Sequence, residues 1–143
     1  MELGATQSAP RLERLDHLVL TVASIDKTVH FYTSVLGMAE VVFGNGRRAL
    51  FFGQQKLNLH QAGHEFEPKA ARPTPGSADI CLIADTDPAT IAAWLDGRGV
   101  SVEEGPVART GALGPITSFY FRDPDGNLVE LATYVSPQLF GDG

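Results

Sequence analysis

The chain carries the same order of elements twice. Leu15-Asp16-His17-Leu18-Val19-Leu20-Thr21-Val22 is short and rich in leucine and valine, the composition of a half-buried strand. Ser24 follows as an N-cap, and Ile25, Val29, Tyr32 and Leu36 recur at spacings of 4, 3 and 4. Gly37 supplies the stop, so the spacing predicts an amphipathic helix over 25–36. Ala39–Phe43, Arg48–Phe52 and Lys56–Gln61 read as three strands, with a tight turn at Gly44-Asn45-Gly46. The order then repeats. Ala78–Ala84 is a strand, Asp87-Pro88 is a cap followed by proline at the first helical position, and Ile91, Trp94 and Leu95 form the stripe of a helix ending at Gly97 or Gly99. Strands follow at Val100–Glu103, Thr117–Arg122 and Asn127–Tyr134. His17 and Asp79 stand 62 residues apart, and the caps Ser24 and Asp87 stand 63 apart. Two duplicated βαβββ modules are the physical reading. Either module alone leaves a sheet face uncovered, so the two are expected to share one buried surface.

The expected class is therefore α+β, with modules at 14–61 and 78–135, a linker over 62–77 containing three prolines, and tails at 1–13 and 136–143. The 143 residues suit one domain, and 43% apolar residues can fill its core. Seventeen acidic residues against 11 lysines and arginines leave a net charge of −6, which argues against a nucleic-acid partner. No apolar run approaches the ~20 residues of a membrane span, and Met1–Pro10 lacks a signal pattern. The single Cys81 excludes an intrachain disulfide and fits a reducing compartment. A soluble cytoplasmic protein with a small-molecule partner is expected. Gly105–Ile116 replaces the short Gly-Asn-Gly turn of the first module, and is read either as a binding loop or as a tolerated surface insertion.

Strand alternation singles out four polar residues. Leu18, Leu20 and Val22 share one face of the first strand, so His17 lies on the other; Leu57 and Leu59 likewise oppose Asn58 and His60. Asp79 shares a face with Cys81 and Ile83, and Glu130 faces away from Val129 and Leu131. Each module thus offers a polar side chain from its first strand and its last. Two imidazoles and two carboxylates suit Zn²⁺, Ni²⁺, Co²⁺, Fe²⁺ or Mn²⁺, and the absence of further thiols argues against a soft-metal site. Taken singly, each residue is more often a polar group meeting solvent or backbone; four at duplicated positions favour the metal.

Other candidates carry less. His30 is read as a helix-surface residue and His64 as an exposed linker residue. Cys81, with no cationic neighbour in sequence, is read as an inert small hydrophobe. Arg109, the long cation of the 105–116 segment, either meets an anionic substrate or is solvated. Arg122-Asp123-Pro124-Asp125-Gly126-Asn127 is first of all a turn, its charges structural.

The paired modules, the Leu-Asp-His-Leu-Val-Leu-Thr-Val run at 15–22 and Phe-Arg-Asp-Pro-Asp-Gly-Asn-Leu-Val-Glu-Leu at 121–131 resemble the vicinal oxygen chelate superfamily of glyoxalases, bleomycin-resistance proteins and extradiol dioxygenases. Segments 56–60, 65–70, 76–81 and 104–111 are similar to the glyoxalase domain-containing protein 5 subgroup. The resemblance implies a cupped mixed sheet around one divalent ion, with His17, His60, Asp79 and Glu130 at the ligand positions. His60 stands where glyoxalase I commonly has a carboxylate, and Asp79 where many members have histidine. It further implies a lyase or isomerase of the lactoylglutathione-lyase type, in which the metal grips two adjacent oxygens and stabilises an enediolate while a carboxylate, Glu130 or Asp79, moves the proton. Glutathione or another thiol would be co-substrate, with Arg109 the candidate substrate contact. A thiol transferase, an Fe²⁺ dioxygenase and a metal-free drug-binding protein are the alternatives within the resemblance. A homodimer is implied as well.

Overall fold

Ten elements build the protein in the computed structural model, which describes residues 7–135. The first module comprises β1 (His17–Val22), α1 (Ile25–Leu36), β2 (Ala39–Phe43), β3 (Arg47–Phe52) and β4 (Gln55–Gln61). The second comprises β5 (Asp79–Ile83), α2 (Pro88–Gly97), β6 (Glu104–Gly111), β7 (Gly114–Arg122) and β8 (Leu128–Tyr134). Each module makes a four-stranded mixed sheet, in the orders β1-β4-β3-β2 and β5-β8-β7-β6. In both, the first and last strands pair in parallel and the remaining neighbours are antiparallel. The duplication read from spacing is thus a duplication of topology. Residues 7–16 carry no regular element, and the remainder of the expected tails, 1–6 and 136–143, lies outside the described residues. No described helix is long and apolar enough to cross a membrane.

The helix signals act as expected. Ser24 Oγ accepts from the Lys27 N–H at 3.2 Å, and Gly37, at φ 66, closes α1 in the left-handed region. Asp87 caps α2 through the Thr90 N–H at 2.8 Å, with Pro88 at its first turn. Two readings in the second module are corrected. Val100–Glu103 is not a strand, and Gly105–Ile116 is not a loop: β6 spans Glu104–Gly111 and meets β7 through the two-residue turn Ala112-Leu113. Gly105 and Pro106 read as loop formers, but β6 is an edge strand and the ladder shifts register between Glu104 and Val107. A bulge at an edge is where proline is tolerated in a sheet.

Both sheets turn their apolar faces to the helices, and the two helix-bearing faces merge into one core. Leu20, Val22, Leu57 and Leu59 from the first module join Phe119, Phe121, Val129 and Leu131 from the second, with Val29, Tyr32, Ile91 and Leu95 from the helices. The Trp94 indole N–H donates to the Val35 carbonyl at 2.7 Å, linking α2 to α1. The turn at 123–127 is the second tie. Asp123, 5% exposed, accepts from the Tyr32 hydroxyl at 2.8 Å and from the backbone N–H groups of Asp125 and Asn127. These charges are structural, as the sequence suggested.

The opposite face of each sheet is only partly covered by the described residues: Ala49, Asn58 and His60 on the first and Ser118 and Ala132 on the second are buried there, and the rest is open. Val19, Val41 and Phe51 on the first and Ile83 on the second are 38–53% exposed. The polar residues picked out by alternation belong to these open faces.

Candidate functional site

His17 opens β1, and its Nδ1 meets Asp16 Oδ2 at 2.8 Å. In the neutral tautomer that carries its proton on Nδ1, Nε2 presents its lone pair, the carboxylate-oriented imidazole common among metal ligands. The same hydrogen bond holds the Asp16 carboxyl below its ordinary range. Glu130 stands in the middle of the second module's open face. Ser118 Oγ donates to its Oε2 at 2.6 Å, while Cys81 and Tyr120 are its cross-strand neighbours on either side. Burial, then the charge of Glu130, push the Cys81 thiol up to about 11, so it is an inert thiol at neutral pH, as read from the sequence. Burial likewise raises the Tyr120 phenol, with Arg109 opposing.

Asp79 is exposed on the same face, two register positions from the residue opposite Glu130. That is about 7 Å along the strand, close enough for two carboxylates to share a cation. His17 and Asp79 also line one cleft of about 310 Å³ with Asp16, Lys56 and Cys81, where the edges of β1 and β5 approach. His60 is placed differently. His17 pairs with Lys56, whereas His60 pairs with Thr21, four positions further along β1. The two imidazoles rise from one face about 13 Å apart along the strand. They do not converge on a common ion within this sheet. Among the described residues no three His, Cys, Asp or Glu side chains gather closely enough to hold a metal in one chain.

Arg109 is a strand residue, on β6 rather than a loop. Its Nε donates to the Tyr120 hydroxyl at 3.1 Å and Nη2 to Glu104 at 3.2 Å. It therefore grips the tyrosine next to Glu130 and is itself neutralised by Glu104. His64 is exposed, and His30 is exposed on α1. Sequence reasoning passed over Asn58, 6% exposed with its Oδ1 lacking a partner among the described residues, although alternation puts it on the open face. Asp16, Ser118 and Tyr120 were missed as well; the last two follow from the parity of β7 against Glu130.

The profile of the Glyoxalase/Bleomycin resistance protein/Dioxygenase superfamily matches residues 14–131. The chain belongs to that superfamily. Virulence protein STM3117 of Salmonella typhimurium is 56% identical over 87% of this chain and 86% of its own length. The crystal structure of that protein superposes with a TM-score of 0.87 at 55% identity, covering 88% of this chain and all of the other. The glyoxalase domain-containing protein RDO1 of Mycosarcoma maydis is 58% identical over 84% of this chain and 68% of its own length. An integron cassette protein from the V. cholerae mobile metagenome, 58% identical, superposes at 0.87 over 90% of this chain and all of the other. The match runs through both modules, and the fold superposes on these solved relatives over most of the chain.

Proposed function

We propose that this superfamily member, of the glyoxalase domain-containing protein 5 subgroup, is a divalent-metal-dependent glyoxalase-like lyase or isomerase, cytoplasmic and homodimeric. The observation that carries the reading is the preparation of two donors on separate open faces, His17 by Asp16 and Glu130 by Ser118. The donor chemistry fits a borderline divalent ion: one oriented imidazole and the carboxylates of Glu130 and Asp79. His60 is left out of this set by its register. A second copy laid against the exposed Val19, Val41, Phe51 and Ile83 would cover apolar surface and supply donors missing from one chain.

The bound ion would polarise two adjacent substrate oxygens and acidify the C–H bond beside them. The chain's own residues supply the rest. Glu130, half-buried and gripped through Oε2, has its other oxygen available to take a proton from one carbon and return it to its neighbour. Tyr120, held by Arg109, lines the same face beside it. Glutathione or another thiol as co-substrate, and Arg109 as its contact, belong to this reading. Arg109 is paired with Glu104 on this face.

The apolar side chains on the open faces equally suit a metal-free small-molecule-binding protein, and an Fe²⁺ dioxygenase or thiol transferase would use the same donors. Metal analysis by plasma mass spectrometry on untagged protein, loaded in turn with Zn²⁺, Ni²⁺, Co²⁺, Fe²⁺ and Mn²⁺, separates them. The expected result is about one ion per chain, lost in His17→Ala and in Glu130→Ala, with light scattering giving a dimer and proton exchange on a hemithioacetal substrate. A wild type that stays empty under all five ions refutes the metal-dependent reading, and retained iron with oxygen uptake moves the protein to the dioxygenases.

A further inference from the structure

A cavity of about 460 Å³ lies between the open-face ends of β1 and β4 and the linker that crosses them. That volume is within the ordinary range of small-molecule sites, ~300–1,000 Å³. Its ionisable lining consists of His60, Lys69 and Arg72, with no carboxylate, in a chain whose acidic residues outnumber its basic ones by 17 to 11. Thr21, Thr74 and Ser77 add hydroxyls.

The polar groups are arranged rather than merely present. His60 is 4% exposed, and its Nε2 has no hydrogen-bond partner among the described residues. Phe66 packs edge-on against the imidazole at 5.5 Å between centroids, and the Arg47 guanidinium sits 4.5 Å over the Phe66 ring, adding a cation close by. Burial first, and then the Arg47 charge, hold the imidazole below its usual range, so that it is neutral at pH 7. Lys69 is positioned by Glu65 and Glu67, at 3.6 and 3.3 Å, neither of which lines the cavity. Arg72 makes no ion pair among the described residues. A guanidinium fork matches the paired oxygens of a carboxylate or phosphate, and an ammonium adds a point charge.

We propose that this cavity binds a small organic or inorganic oxyanion, a carboxylate or phosphate group, between Arg72, Lys69 and the unpartnered imidazole of His60. The site is independent of the metal reading, since neither His17 nor Glu130 lines it. The test is an NMR titration of the nitrogen-15-labelled full chain with acetate, glutarate, inorganic phosphate and the uncharged control glutaramide. At least one anion is expected to bind saturably, and glutaramide not at all. Tenfold or greater weakening is expected in Arg72→Gln and in His60→Gln, and progressive weakening with added salt. Preference for glutarate or acetate over phosphate assigns a carboxylate ligand, and the reverse order a phosphate. His17→Ala is expected to bind the anion like wild type, so loss of metal and loss of anion are read separately. No saturable binding of any of the three anions, or an Arg72→Gln chain that binds as wild type does, overturns the proposal. Arg72 is exposed, so that variant keeps the test open if His60→Gln does not fold.

Discussion

Tyr32→Phe tests whether the two modules are held together by the buried bond between α1 and the 123–127 turn. Tyr32 is 0% and Asp123 5% exposed, and the partners are 91 residues apart in sequence. Phenylalanine keeps the ring and its packing, so the change removes one hydrogen bond to a charged acceptor and opens no cavity. Asp123 retains its donors from Asn127 Nδ2 and from the backbone of Asp125 and Asn127. The expected loss is about 1.5–3 kcal/mol, a fall of about 4–10 °C in Tm for a domain near this size. Urea unfolding followed by Trp94 fluorescence reads it, with an unchanged slope on denaturant. The pH dependence supplies a second reading. Burial, and then the charge of Asp123, raise the Tyr32 phenol above its ordinary range. The folded state therefore keeps a proton that the unfolded state gives up above about pH 10, and the contribution, complete below that pH, is lost as pH rises at up to about 1.4 kcal/mol per unit. Tyr32→Phe should flatten that alkaline limb. A loss under about 0.5 kcal/mol, or an alkaline limb as steep as in wild type, would refute the argument.

Three further outcomes follow from local geometry. Gly105→Ala should cost about 2–3 kcal/mol in urea unfolding, because at φ 134 its Cβ would stand 2.6 Å from the Ser118 carbonyl oxygen and 2.8 Å from Phe119 Cα. Asp87→Ala should cost about 1 kcal/mol through the lost cap of α2, also by urea unfolding. His60, held below its usual range by burial and Arg47, takes up a proton more readily unfolded than folded. Stability should thus be intact above about pH 6.5 and fall as pH drops below it; His60→Gln should flatten this acid limb, and an unchanged limb would show that the imidazole is not desolvated.

Signals local to a few residues were legible. Caps, turn glycines and period-2 alternation gave both helices, most strands and the face on which His17, Asn58, His60 and Glu130 lie. The β6–β7 hairpin was misread because Gly105 and Pro106 signal a break, and nothing local says that the strand is an edge able to absorb one as a bulge. The heights of the site residues are legible to a different degree. Alternation fixes which face a side chain takes but not its height along the strand, so it grouped His60 with His17. Pairing sets that height, and it depends on where β4 begins after the hairpin, which puts Lys56 rather than His60 opposite His17.

The duplication also explains where the chemistry can be. Each βαβββ unit has a helix-bearing face and an open one, and joining the units through Tyr32–Asp123 and Trp94–Val35 uses the helix-bearing pair. The other face of each sheet is packed less completely, and can carry His17, Glu130 and the polar lining beneath the linker without burying unpaired charge. Equivalent faces need not keep equivalent contents. The first module uses His60 under its linker, while at a similar depth on the second, Ser118 and Ala132 are fully buried small residues. On this argument the fold is maintained by the shared face and function diverges on the two open ones, so substitutions at Tyr32 or Asp123 should move stability, whereas substitutions at His17, Glu130 or Arg72 should move binding with little change in Tm.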